Sequence, residues 1–242
     1  MTRALGIDIS QWQNDPQTPK FMDFQKARAA GADFIFIKAS QANWRDRDFA
    51  HNWAAAKEAG LIRGAYHFLT WNMDGAAQAE FMWGLIKDDP GELPMTVDYE
   101  WWGQVPSNAE DYLRKFVARI RSLSGKRPII YTSAYFWNGA NEAQELTSTC
   151  NLWVASWREG GEPRLPNGFK QWQFWQWTDK GDGLKYGAES LGLDMDWFYG
   201  DRAELRRWAG LPPEDEQPPE PPALTIEQRL TALEARVTAL EK

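Results

Sequence analysis

The sequence predicts an α/β fold in which a parallel sheet closes into a barrel, and three observations support this prediction. About eight short apolar segments have the pattern of strands, the first five are followed by helical patterns, and the last ones leave little room for helices. Strands that alternate with helices form parallel sheets with helical crossovers, and eight strands favour a closed barrel over an open sheet. We therefore expect an irregular, TIM-like (β/α)5(β)3 barrel.

The first half of the chain shows the alternation clearly. Leu5, Ile7 and Ile9 share one face of a strand, whereas residues 33–39 are almost continuously apolar, as in a strand that is buried on both faces. In chain order, strands are predicted at residues 5–10, 33–39, 62–69, 93–102 and 127–132, and helices at 21–30, 48–59, 74–87 and 109–123.

The second half of the barrel is predicted to contain fewer helices. The stretch that leads to Cys150 is expected to be short and partly helical. Three further strands are predicted at residues 152–156, 172–178 and 192–198, and a closing helix at 203–208. The barrel domain is therefore expected to span residues 1–210.

Two short segments follow the predicted barrel. Residues 211–223 are rich in proline and acidic residues, which predicts an extended linker. In residues 224–242 the apolar side chains follow heptad spacing, at Ile226, Leu230, Leu233, Val237 and Leu240.

The heptad segment also carries charges that suit a coiled coil. The stretches from Arg229 to Glu234 and from Arg236 to Glu241 resemble the Arg-hydrophobic-x-x-hydrophobic-Glu pattern of short three-stranded coils. We expect a parallel homo-oligomer, with a trimer favoured over a dimer. A frayed helix, or one packed on the barrel, is the alternative, because an isolated helix of this length is only marginally stable.

Two acidic residues at the end of the fourth predicted strand are the main catalytic candidates. Asp98 and Glu100 are two positions apart, so they project from one face while Val97 and Tyr99 project from the other. Acidic residues are depleted in strands, and buried like charges raise the pKa of one of the pair. A carboxyl group that keeps its proton near neutral pH can act as a general acid. The pair therefore predicts a glycoside hydrolase.

Three more side chains are expected at the same rim of the barrel. Asp8 and Asp194 also lie between apolar neighbours on predicted strands, so they should point into one mouth with Asp98 and Glu100. Lys38 ends an apolar strand, where its charge could lower the pKa of an aspartate in this cluster.

Composition excludes several other classes of protein. The formal net charge of −7 gives no basic footprint for nucleic acid, and a composition of one cysteine and two histidines argues against a zinc site. We expect no metal and no cofactor. The sequence has no long apolar run and no signal-peptide core, so no membrane insertion is expected. The expected location is the host cytoplasm and then the cell wall for a phage endolysin, or otherwise secretion by a non-Sec route.

Several motifs, taken in order, resemble those of family 25 glycoside hydrolases, the Chalaropsis-type lysozymes that are common among phage endolysins. They are Gly6-Ile-Asp-Ile-Ser-Gln-Trp-Gln13, Phe36-Ile-Lys-Ala-Ser-Gln41, Gly64-Ala-Tyr-His-Phe68, Val97-Asp-Tyr-Glu100, Ile130-Tyr-Thr132, Leu152-Trp-Val-Ala155, Trp175-Gln-Trp-Thr178 and Leu193-Asp-Met-Asp196. The resemblance covers about residues 4–208. It implies an N-acetylmuramidase that acts on bacterial peptidoglycan.

The resemblance also implies roles for the acids. Glu100 corresponds to the general acid/base, and Asp98 to a partner that orients or stabilises the substrate acetamido group as an internal nucleophile. Asp8 and Asp194 match the other two acids of the family. Asp196 stands where the family often has asparagine, which adds a negative charge near the mouth and bears on the pH optimum.

The origin of both central acids on one strand favours a particular mechanism. Asp98 and Glu100 cannot easily flank the scissile bond from opposite faces of the sugar ring. Assistance by the acetamido group, with retention of the anomeric configuration, is therefore expected rather than attack by a carboxylate.

The fifteen tryptophans raise the question of which aromatic side chains contact sugar. Candidates for lining the groove are Tyr66, Tyr131, Trp157, Trp175 and Trp177, although each could equally be a packing residue. His67 lies next to Tyr66 on a strand, and a hydrogen-bonded core histidine is its favoured interpretation.

Three alternative functions remain at this point. A cluster of acids could bind Mg²⁺ for phosphoryl chemistry, but no P-loop or arginine cluster accompanies it. A chitinase-like glycosidase also ends a strand in Asp-x-Glu, yet the further acids of that motif are missing from residues 92–97. A non-catalytic cell-wall sugar-binding module is the third, and the presence of Glu100 argues against it.

Overall fold

The computed structural model describes residues 2–18, 20–101, 103–140, 143–158 and 160–214. Contacts group Met1–Leu211 into one unit. Of the predicted linker, only residues 211–214 are described. The predicted coiled coil, residues 224–242, lies outside the described residues.

The secondary structure alternates along the chain much as the sequence predicts. The strands are β1 (Leu5–Ile9), β2 (Phe34–Gln41), β3 (Trp44–Arg45), β4 (Ile62–Phe68), β5 (Thr96–Asp98), β6 (Ile129–Ser133), β7 (Asn151–Ala155), β8 (Phe174–Asp182) and β9 (Gly192–Phe198). The helices are α1 (Phe24–Ala29), α2 (Phe49–Glu58), α3 (Gly75–Ile86), α4 (Ala109–Ser124), α5 (Ala134–Ala140), α6 (Leu146–Thr149) and α7 (Arg202–Trp208). No described helix is long and apolar enough to span a membrane.

Eight of the strands form a closed barrel, which confirms the predicted architecture. The order is β1-β2-β4-β5-β6-β7-β8-β9, and β9 pairs with β1 to close the ring. Seven of these strands are parallel, whereas β9 runs antiparallel to both of its neighbours. The sequence did not predict this reversal, which follows from the helix-free loop between β8 and β9. The short β3, also unpredicted, forms a hairpin with β2.

Alternation along the strands separates two apolar layers. Ile7, Val97 and Tyr99 belong to the layer between the barrel and its helices. Phe34 and Phe36 belong to the layer inside the barrel. Residues that alternate with the outer layer, such as Asp8 and Asp98, therefore face the barrel interior.

Aromatic rings fill the barrel below the acidic residues. Phe36 stacks on Trp153, with ring centroids 4.2 Å apart, and meets Phe174 edge to face at 4.9 Å. A Cβ on Gly6 would lie 2.3 Å from the ring of Phe34, so glycine makes room for these rings. The interior is therefore a packed apolar floor, which excludes water from beneath the acidic side chains.

Candidate active site

Four acidic side chains from three strands meet at the rim where the parallel strands end. Asp98 is the last residue of β5, Glu100 follows two positions later, and Asp8 lies near the end of β1. Asp194 reaches the same rim from the opposite direction, because β9 is antiparallel and pairs Asp194 with Asp8. The structure therefore brings the four predicted acids into one mouth.

Glu100 has the protonation behaviour of a general acid. Its side chain is half-buried, and burial raises its pKa to about 7, with a further increase from the negative charge of Asp194. The Lys38 ammonium opposes this increase. A carboxyl group with a pKa near 7 is poised to give up its proton at neutral pH.

Asp98 is buried more deeply than Glu100. Burial raises the pKa of Asp98 well above its ordinary value, the charge of Glu100 adds to this, and Lys38 lowers it. No donor among the described residues reaches Asp98 Oδ1. The sequence predicts a raised pKa for one acid of the pair, whereas in the structure the pKa values of both Asp98 and Glu100 are raised.

Gln176 connects Asp8 to two aromatic residues at the rim. Its Nε2 donates to Oδ2 of Asp8 at 2.8 Å. Its Oε1 accepts from the Tyr131 hydroxyl at 2.9 Å and from Trp157 Nε1 at 3.0 Å. Burial raises the pKa of Asp8 well above its ordinary value, and the hydrogen bond from Gln176 works against this increase.

Asp196 lies one layer below Asp8 and is fully buried. Its Oδ1 accepts a 2.7 Å hydrogen bond from Trp153 Nε1, whereas its Oδ2 has no donor within the described part of the chain. Burial raises its pKa to about 8, the charge of Asp194 adds to this, and hydrogen bonds with Trp153 and Asp8 lower it. Asp196 therefore keeps a proton at neutral pH, and this proton can bridge Asp196 and Asp8. Protonation of Asp196 therefore reduces the extra negative charge that the sequence predicts here.

Lys38 is the cation of the site. Its Nζ donates to Gln41 Oε1 at 2.8 Å and lies 5.4 Å and 4.9 Å from the ring centroids of Trp44 and Phe68. Burial lowers the pKa of Lys38, and the charges of Asp98 and Glu100 raise it. Lys38 thus interacts with the two central acids electrostatically while aromatic rings hold its position.

The predicted aromatic residues divide into two groups. Tyr66 and Tyr131 face the barrel interior near the acids, and Trp157 lies at the rim. Trp175 instead points outward, where its Nε1 donates to the Ser156 carbonyl and its ring packs on Trp172. Trp177 also points outward and stacks on Trp197. These positions give no support to a sugar contact by Trp175.

His67 faces the helices rather than the mouth. Its ring nitrogens lie 2.8 Å from Ser40 Oγ and 3.0 Å from Gln78 Oε1, and burial lowers its pKa to about 4. It is a neutral, hydrogen-bonded core residue, as the sequence favours.

Sequence reasoning missed three residues at the rim. Gln176 is not evident from the sequence, because the two tryptophans beside it are stronger sugar-binding candidates by residue type. Trp12 and Trp44, which are 75% and 39% exposed, follow β1 and β2 at the same rim. The sequence signal for them is a tryptophan in the loop that follows a strand with an inward-facing charge, four positions after Asp8 and six positions after Lys38.

A metal ion does not have an evident site in the described ranges. No group of three or more His, Cys, Asp or Glu side chains there is arranged to hold one.

Comparisons with known proteins connect this geometry to a family. The model of "Glycosyl hydrolases family 25" matches residues 7–184. The chain is 32% identical over 213 residues to Lysozyme M1 of Streptomyces globisporus, covering 83% of this chain and 69% of that protein. It is 28% identical over 217 residues to the N,O-diacetylmuramidase of Arthroderma benhamiae, covering 84% and 86%.

Solved structures show the same fold. The bacterial lysozyme from Streptomyces coelicolor superposes with a TM-score of 0.73 at 28% identity, covering 86% of this chain and 97% of that one. The muramidase from Acremonium alcalophilum gives a TM-score of 0.71 at 32% identity, with coverage of 86% and 99%.

Proposed function

Since the chain belongs to family 25 of the glycosyl hydrolases, we propose that it hydrolyses bacterial peptidoglycan as an N-acetylmuramidase, with Glu100 as the proton donor. Relatives named lysozyme and N,O-diacetylmuramidase support this activity, and none of those compared supports a chitinase-like enzyme or a non-catalytic sugar-binding module. The observation that carries the assignment within the site is the half-buried Glu100, whose pKa is raised to about 7 beside Asp98.

Glu100 protonates the leaving-group oxygen. It transfers its proton to the glycosidic oxygen as the bond from C1 of N-acetylmuramic acid to that oxygen breaks, and positive charge develops on the sugar. The ionised Glu100 then removes a proton from water, which attacks C1 and completes the hydrolysis. The group thus regains its proton in each cycle.

Asp98 assists through the substrate acetamido group. Its buried Oδ1, which no donor from the described residues reaches, can accept the acetamido N–H. That hydrogen bond favours the ionised form of Asp98 and turns the acetamido oxygen toward C1. Attack by this oxygen from the face opposite the leaving group gives retention after the second step.

The remaining polar residues shape the charge of the mouth. Asp194, half-buried, raises the pKa of Glu100 through its charge, in addition to the larger effect of burial. Asp8, fixed by Gln176, lies where it can accept hydrogen bonds from sugar hydroxyls. Tyr66, Tyr131 and Trp157 supply the aromatic surface beside these acids.

The setting and the assembly of the enzyme are further parts of the proposal. A phage endolysin, made in the host cytoplasm before it reaches the wall, is the role that we favour. Endolysins share the fold, as the catalytic domain of ply40 from a Listeria phage does at 19% identity and a TM-score of 0.68.

The heptads in residues 224–242 support a trimer in which three barrels act on one wall.

The identity of the new chain end tests the reaction. Cell walls are digested with the full chain, and the soluble products are reduced with borohydride and analysed by mass spectrometry. Reduced muramic acid at the chain ends is the expected result. Reduced glucosamine there would mean that the enzyme cuts the other glycosidic bond, and the absence of new reducing ends would remove the hydrolase assignment.

A further inference from the structure

The turn that follows β1 presents a tryptophan to solvent. Residues 11–13 form a single 3₁₀ turn, and the ring of Trp12 is 75% exposed. Because β1 is one of the parallel strands, this turn lies at the same rim as Asp8. A large apolar ring in water loses the stabilisation that burial gives such a side chain.

The backbone around Trp12 is nevertheless held from three directions. Ser10 and Gln13 form a capping box across the turn. Gln11 N–H donates to Asp46 Oδ2 at 3.0 Å, and Arg47 Nη2 donates to the Gln11 carbonyl at 3.0 Å.

The third support comes from the loop between β8 and β9. The Gln13 carbonyl accepts from the backbone N–H groups of Glu189 at 2.9 Å and Ser190 at 3.2 Å. The exposed indole is therefore presented by a fixed backbone, so ordering it on a ligand costs little entropy.

A second exposed tryptophan lies on the segment that clamps this turn. Trp44, on β3, is 39% exposed and precedes Asp46 by two residues. Its ring also lies 5.4 Å from Lys38 Nζ, which interacts with Asp98 and Glu100. Trp44 thus connects the Trp12 turn to the central acids.

Trp44 is on the far side of the mouth from Trp157, and Trp12, which follows β1, lies one strand closer to Trp157 around the ring. Around the barrel, β2 and β7 are separated by β4, β5 and β6, so they lie on opposite sides with the acid-bearing β5 midway. Trp157, which is 58% exposed, follows β7. Aromatic rings thus flank the acids from both sides, as a strand of linked sugars would require.

We propose that Trp12 and Trp44 form a second sugar-binding subsite, which takes the apolar faces of pyranose rings farther along the glycan strand than those at Glu100. The proposal rests on the hydrolase function above, and it adds that the enzyme prefers long strands to short fragments. Loss of one such ring contact weakens binding by about tenfold, which corresponds to roughly 50 Å² of apolar surface.

Binding is measured by calorimetry on the full chain carrying Glu100→Gln, so that the ligand is not cut. The ligands are peptide-free peptidoglycan glycan strands and the disaccharide of the same two sugars. Adding Trp12→Ala should weaken binding of the long strand by about tenfold and leave the disaccharide within about twofold. Trp12→Phe, which keeps an aromatic ring, should restore most of the affinity.

Tyr199→Ala is the matched control. Tyr199 is also an exposed aromatic residue, at 63%, but it follows β9 at the opposite end of the barrel. This variant should bind the long strand like its parent. Equal long-strand affinity of the Trp12→Ala protein and its parent, or an equal loss for the disaccharide, overturns the subsite. A Glu100→Gln parent that binds no glycan overturns the proposed function and the subsite with it.

Discussion

Gln176 donates a 2.8 Å hydrogen bond to Asp8, and this contact joins an acidic residue of β1 to the rim of β8. The same amide accepts from Tyr131 and Trp157 through its oxygen. One uncharged side chain therefore sets the position of an acid, a buried hydroxyl and an exposed indole.

Gln176→Leu should destabilise the protein and reduce its activity. The substitution leaves the Asp8 carboxylate and the Tyr131 hydroxyl without their partner, at a cost of about 1–3 kcal/mol for each buried polar group. We expect a lower free energy of unfolding in urea and a fall of at least about tenfold in wall lysis, because Asp8 is no longer held. Gln171→Leu, at an exposed position, is the control. Parental stability and lysis in the Gln176→Leu protein would contradict this role.

Lys38→Met should move the alkaline limit of lysis to higher pH. The Lys38 charge lowers the pKa of Glu100, which is otherwise raised by burial and by Asp194 to about 7. A general acid is lost as pH rises through its pKa, so removing the cation should shift the alkaline limb of kcat/KM upward by up to about one unit. Lys87→Met, far from the mouth, should leave the limb in place. A downward shift would show that Lys38 acts on another group.

Asp196→Asn should make stability less sensitive to pH. Burial, together with the charge of Asp194, raises the Asp196 pKa to about 8, far above the 3.8 of an unfolded aspartate. The folded protein therefore binds the proton more tightly. The stabilisation that this tighter proton binding gives the folded state is complete below the unfolded pKa of the aspartate. It is lost as pH rises toward 8.

The asparagine keeps a donor for Asp8 but does not titrate. Between about pH 5 and 8 the free energy of unfolding should fall less steeply with pH for the variant than for the parent. The two slopes should differ by up to about 1.4 kcal/mol per pH unit. Urea titrations across this range measure the slope. Asp179→Asn is the control, because it removes a nearby charge that belongs to neither Asp8 nor Asp196. It should change the slope of the free energy of unfolding against pH only a little. Parallel slopes for Asp196→Asn and the parent would mean that Asp196 is ionised throughout.

Removal of the C-terminal segment should abolish assembly. A chain that ends before Pro212 lacks every heptad position, whereas the full chain carries apolar residues at a and d from Ile226 to Leu240. Sedimentation equilibrium should give a monomer for the shortened chain and a trimer for the full chain. An oligomeric shortened chain would locate the contact on the barrel instead.

The sequence was most informative where the two faces of a strand differ in polarity. In β1, Ile7 and Ile9 alternate with Asp8, so the direction of the acid follows from the pattern. The same holds for Asp98 between Val97 and Tyr99. For these strands the apolar face packs against the helices, which removes it from water, and the acid takes the inward face at the rim.

The sequence was less informative where both faces are buried. In the first half of β8, Phe174 and Gln176 face inward while Trp175 and Trp177 face outward, and none of these four residues is charged. Residue type favoured the tryptophans as sugar contacts, but the position of Phe174 inside the barrel places Gln176 at the mouth. The direction of β9 was also hidden, since strand patterns are the same in both directions.

The positions of the exposed tryptophans at the rim do not follow from hydrophobic periodicity. Trp12 lies on a single 3₁₀ turn whose position depends on hydrogen bonds to Asp46 and Arg47, more than thirty residues away. Local periodicity carries no information on such contacts.

The central claim is that Glu100 supplies the proton that breaks the glycosidic bond. Turbidity loss of a bacterial cell-wall suspension, measured with Glu100→Gln protein whose thermal unfolding matches that of the parent, tests it directly. Glutamine has the same shape but no proton of suitable acidity, so the account predicts no lysis above the background. Lysis at the parental rate would contradict it and leave another residue as the acid.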